Sequence, residues 1–122
     1  MNYFRTLVAL ASAAALLATS PAFAHTKLVS STPAANATLR ASPRTITLTF
    51  DERVVPAFSK FELTMPAHNN RKVPIQTRVS RDGKTIAGTP ARPLAKGSYR
   101  IAWTIGSDDG HRMTGTVNFR IG

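Results

Sequence analysis

The sequence predicts an all-β domain, an antiparallel sandwich of about seven short strands. Two observations carry this: runs with a two-residue apolar period recur along the chain, and Pro, Gly, Asn and Asp punctuate them. A third is that no stretch beyond the first two dozen residues keeps a helical period. Arg44-Thr-Ile-Thr-Leu-Thr-Phe50 is the sharpest run, with Ile46, Leu48 and Phe50 on one face and threonines on the other. Phe61 to Met65 and Val73 to Val79 alternate more loosely, and Thr85 to Gly88 follows the Asp82-Gly83 turn. Tyr99-Arg-Ile-Ala-Trp-Thr-Ile105 and Thr116 to Ile121 close the chain. Such alternation gives each strand one wet and one buried face. Phe50, Phe61, Trp103 and Phe119 lie on the apolar faces and are read as core.

The first 24 residues have the order of an export signal. Arg5 supplies a positive start, Leu7 to Leu17 is apolar, and Ala22-Phe23-Ala24 is a small-residue cleavage pattern. The apolar run is short against the ~20 residues needed to span a bilayer, which disfavours an uncleaved anchor. Removing 24 of 122 residues leaves 98, residues 25–122, as one domain. The expected destination is a bacterial periplasm. The chain contains no cysteine, which excludes disulfide staples and every thiolate metal site.

Once Arg5 is set aside from the 16 basic residues, 15 face 6 acidic ones, a formal +9. These cations are dispersed and are not interleaved with aromatics. Together with export, this argues against nucleic acid and for a solvated exterior, with attraction to a membrane surface as a further reading.

Three histidines are present: His25, His68 and His111. Cleavage after Ala24 makes His25 the first residue, offering an α-amine and an imidazole Nδ1 that close one chelate ring. The α-amine has a reference pKa of about 7.7–8.0 and yields its proton readily to a metal. Nitrogen-rich tetragonal sites favour Cu(II), which heads the divalent affinity order. Asp109 and His111 are two residues apart, so on an extended segment both project to one side. With His25 they supply three nitrogens and one oxygen, a set suited to one Cu(II) per mature chain. The competing readings are that cleavage happens to leave a histidine first, and that Asp-Gly forms an ordinary hairpin turn followed by an exposed histidine.

These residues lie within longer likenesses. The opening His25-Thr-Lys-Leu-Val-Ser-Ser-Thr-Pro-Ala resembles the start of the CopC copper-resistance family, as do Leu48-Thr-Phe-Asp-Glu52 and Gly97-Ser-Tyr-Arg-Ile-Ala-Trp103. The closing Ser107-Asp-Asp-Gly-His111-Arg-Met-Thr-Gly115-Thr-Val-Asn-Phe119 is similar to its tail. The resemblance implies a seven-stranded Greek-key sandwich or barrel, immunoglobulin-like or cupredoxin-like, and His25, Asp109 and His111 as Cu(II) ligands. It also implies Glu52 as an axial ligand or a group just behind the metal. Some members carry a Met-rich loop for Cu(I). The matching stretch here, Thr64 to Lys72, keeps only Met65 and His68, fewer soft ligands than Cu(I) calls for.

The expectation is therefore a non-enzymatic periplasmic copper carrier or buffer, monomeric, serving resistance or uptake beside a CopD-like membrane partner. Two other readings are an N-terminal-His-brace copper monooxygenase and a metal-free structural or interaction sandwich.

Overall fold

The computed structural model of the protein describes residues 26–122, so His25 and the expected signal lie outside the described residues. Nine strands follow in order: β1 Leu28–Thr32, β2 Thr38–Leu39, β3 Ile46–Phe50, β4 Lys60–Met65, β5 Arg71–Val73, β6 Ile75–Val79, β7 Thr85–Pro90, β8 Gly97–Gly106 and β9 Arg112–Ile121. They form a four-stranded sheet of order β1-β3-β7-β6 and a five-stranded sheet of order β2-β9-β8-β4-β5. Seven of the nine are five residues or longer, in line with the expected count of about seven; six of these fall on runs read from the sequence, and β1 does not. β2 and β5 are short additions at the edges of the larger sheet.

Alternation does what it predicts in β3, β8 and β9. Ile46, Leu48 and Phe50 point inward against Ile101, Trp103 and Ile105 of β8 and Val117, Phe119 and Ile121 of β9 in one continuous core. Phe50 meets Trp103 edge-on with ring centroids 5.2 Å apart, and Tyr99 stacks on its cross-strand partner Phe119 at 5.3 Å. The Tyr99 hydroxyl donates to the Ala95 carbonyl at 2.6 Å, so the buried ring brings its polar end to an acceptor. Trp103 lies opposite Gly115 on β9. A Cβ there would sit 2.3 Å from Trp103 Cζ2, so the glycine is the space the indole fills.

The run Val73 to Val79, read from sequence as one strand, is two. Pro74 has no N–H to give a ladder, and at that residue the chain leaves β5 in the five-stranded sheet for β6 in the other. β8 is the spine of the site. At ~3.3 Å per residue it carries the chain roughly 30 Å from Gly97 to Gly106.

Candidate metal centre

β8 and β9 pair from Gly97–Ile121 to Gly106–Arg112, and the connection between them is Ser107 to His111. The Gly110 N–H donates to the Ser107 carbonyl at 3.0 Å and the Ser107 N–H to the His111 carbonyl at 2.9 Å, closing a tight turn. Gly110 takes φ +88°, a left-handed conformation that favours glycine. The extended geometry assumed for Asp109 and His111 is therefore not the observed one, because Gly110 reverses the chain between them. The hairpin turn of the competing reading is what forms. It still brings the two side chains together, with His111 Nδ1 3.0 Å from Asp109 Oδ2.

Asp109 is held from three directions. The Ser107 hydroxyl donates to its Oδ1, and the His111 backbone N–H donates to the same oxygen at 3.1 Å. Ser107 Oγ also sits 3.1 Å from the His111 carbonyl, fastening the hydroxyl across the turn. The Ser107 hydrogen bond, then those from the His111 side chain and backbone, hold the carboxyl at a pKa of about 2, below its ordinary 3.8. Asp109 is accordingly an ionised, pre-oriented carboxylate at neutral pH. Both side chains are about half exposed, at 53% for Asp109 and 54% for His111.

A second wall comes from the segment after β3. Val54 bridges Ser107, the Val55 N–H donates to the Gly106 carbonyl at 2.7 Å, and the Val54 N–H donates to the Gly83 carbonyl at 2.8 Å. This fixes Asp51, Glu52 and Arg53 beside the turn. The Asp51 carboxylate accepts the Lys27 backbone N–H at 2.7 Å, and the Asp51 N–H donates back to the Lys27 carbonyl at 3.0 Å. Thr26 is buried at 2% exposure. It lines a cleft of about 240 Å³ together with Glu52, Arg53, Ser107, Asp108 and Asp109. Glu52 thus shares a cleft with Asp109, whereas His111 faces a neighbouring one bounded by Phe58 and Arg112.

Among the described residues, no three His, Asp or Glu side chains gather closely enough to hold a metal ion. Met65 and His68 are not part of this end. Met65, at the end of β4, packs half-buried against the core near Gly97, roughly 30 Å away along β8, and His68 is exposed in a short 3-10 turn. Met113 also packs against the core. The sequence reading assigned no role to Asp51 or Ser107. Their signal was only their place beside Glu52 and Asp109, since a hydrogen bond spanning 24 residues leaves no local pattern.

A family model described as the CopC domain matches residues 28–122, the whole described sandwich but two residues. The chain belongs to the CopC family. Copper resistance protein C of Xanthomonas campestris pv. juglandis is 42% identical over 113 residues, covering 88% of each chain. The protein of the same name from Pseudomonas syringae pv. tomato is 40% identical, covering 89% of this chain and 90% of that one. The crystal structure of PcoC, a methionine-rich copper resistance protein from Escherichia coli, superposes with a TM-score of 0.73 at 34% identity, covering 81% of this chain and all of the other. The present chain has three methionines in all, so it is similar to PcoC in fold without its methionine richness.

Proposed function

We propose that this CopC-family chain is an exported, non-enzymatic carrier of one Cu(II), held by the amine and imidazole of His25 once the signal is removed, by Asp109 and by His111. The observation that carries this reading is the position of Thr26, buried in the cleft that Asp109 and Glu52 line. Peptide geometry gives a residue joined to Thr26 a Cα about 3.8 Å from its own. Asp51 holds the next residue, Lys27, by both backbone groups, so the chain at residues 26 and 27 is anchored beside the turn, which supports a metal site at a mature chain beginning one residue earlier. The donor types fit the cargo: nitrogen ligands, a carboxylate already ionised, and no thiolate to draw soft metals instead. Since the described residues alone gather no three ligands, the reading stands or falls with the N-terminus.

In this reading Glu52 has the role of an axial or outer group on the same cleft, and Met65 and His68 have no part in the Cu(II) site. A membrane transporter of the CopD kind is the partner that fits a periplasmic carrier. The monooxygenase reading would need a ligand position left open for oxygen, which the carboxylate of Asp109 would fill if it binds the metal as proposed. The test is a Cu(II) titration of Asp109→Asn and His111→Ala chains that begin at His25, read by electron paramagnetic resonance. Loss of one nitrogen coupling in His111→Ala supports the assignment. A spectrum unchanged in both variants contradicts it.

A further inference from the structure

The sequence spreads its cations along the chain and the fold leaves them at both ends, but it sorts the carboxylates. Asp51 and Glu52 leave β3 beside Asp108 and Asp109, and Asp82 sits in the β6–β7 turn whose Gly83 carbonyl takes the Val54 N–H. Five of the six carboxylates therefore lie at the end that carries the turn. The sixth, Glu62, is on β4 and pairs with Lys72 at 3.7 Å.

The other end is basic. There the connections before β3 and before β8 are fastened by the Leu94 N–H donating to Ser42 Oγ at 2.7 Å. Arg44 and Arg92 line one cleft of about 450 Å³. Arg92 also lines a second, of about 690 Å³, with Arg71 and Lys72 of β5. The clefts share Ala91, Arg92 and Pro93, so they form one band, and no carboxylate lines either. Its floor is apolar, made by Met65, Val73 and Leu94. Long aliphatic stems lie over such a floor while their charged heads stay in water, and all four cations are exposed. Among the described residues the Lys or Arg ion pair is Lys72–Glu62, so Arg44, Arg71 and Arg92 meet solvent with no carboxylate partner.

We propose that this band docks the protein on anionic phospholipid headgroups, with the Asp109–His111 end held roughly 30 Å away and facing solution. The four cations come from three separate chain segments and run along a band instead of converging on a point. That arrangement fits a layer of phosphates better than a single small anion. Juxtaposed basic residues of this kind bind anionic lipid by summed Coulomb attraction that salt weakens. The inference rests on where the fold puts the charge and does not depend on the metal reading.

The test is co-sedimentation of the chain beginning at His25 with phosphatidylglycerol–phosphatidylcholine vesicles and with phosphatidylcholine vesicles, at low and high salt. Binding to the anionic vesicles alone, lost at high salt, is the expected result. The pair Arg71→Glu and Arg92→Glu should weaken it about twentyfold or more, taking each cation near the surface as worth about fivefold. Arg81→Glu with Lys84→Glu makes the same change in net charge at the other end, more than a ~10 Å screening length from the band, and should weaken it less than about threefold. Thermal melting of both variants checks that they fold, and an unchanged Cu(II) titration of the Arg71→Glu/Arg92→Glu chain separates this surface from the metal site. Equal binding to both vesicle types, or equal loss in both variants, would overturn the proposal. So would capture of polyglutamate with anionic vesicles left unbound, which would assign the band to an acidic protein.

Discussion

Replacing Asp51 with alanine should weaken Cu(II) binding although Asp51 is not assigned as a ligand. Its carboxylate accepts the Lys27 N–H at 2.7 Å, and Lys27 lies two residues after His25. A hydrogen bond to a charged group is worth about 1.5–3 kcal/mol net. This one is exposed to water, which brings it to ~1 kcal/mol. The return bond from the Asp51 N–H to the Lys27 carbonyl, and the β1–β3 ladder, survive the substitution, so the strand stays attached while its first residues loosen. Copper binding pays for re-ordering them, and the apparent Kd rises as the fraction of chains with the N-terminus in position falls. A loss of ~1 kcal/mol corresponds to about a fivefold rise in Kd. Asp51→Asn keeps a side-chain oxygen as acceptor and should stay within about twofold. The assay is a competitive Cu(II) titration against a chelator of known affinity. An unchanged Kd for Asp51→Ala, or equal losses for Ala and Asn, would refute the anchoring argument.

The metal-free protein should lose stability in acid through the turn. The folded pKa of Asp109, about 2, lies below the ordinary 3.8, so its contribution is fully present above pH 3.8 and is lost as the pH falls towards 2; Ser107→Ala should raise that pKa, as read by a carboxyl-carbon NMR titration. Gly115→Ala puts a Cβ 2.3 Å from Trp103 Cζ2 and should cost about 1–3 kcal/mol by overpacking. Calorimetry should show the melting temperature falling by at least about 4 °C, and an unchanged or higher value would refute the close approach. Copper in thousandfold excess over Kd should stabilise the chain beginning at His25 by about 4 kcal/mol, seen as a rise in melting temperature that Asp109→Asn reduces.

How much could be read in advance depended on how local each cause is. β3, β8 and β9 were legible because each buries one face, and burial imposes a two-residue period on Ile46-Thr-Leu-Thr-Phe50 and its counterparts. β1 and β2 were not. Leu-Val-Ser-Ser-Thr at the edge of one sheet is mostly exposed and unpatterned, and Thr38–Leu39 is a strand only because it lies parallel to the end of β9. The break at Pro74 was written in the sequence, but the change of sheet it permits was not.

At the site, Asp109 and His111 were expected to meet on an extended segment; they do meet, but the turn at Gly110 and not a strand pleat brings them together. The hold of Ser107 on Asp109 and of Asp51 on Lys27 needed coordinates. The gathering of carboxylates at one end and of a four-cation band at the other likewise needed the fold, since residues from distant segments are collected only when loops meet.

The most direct test of the account is a Cu(II) titration of the chain beginning at His25, beside one carrying a single extra glycine before it. Tight one-to-one binding is expected of the first and strong weakening of the second, because the added residue moves the free amine away from the imidazole. Equal affinity in the two chains would contradict it and move the metal away from the N-terminus.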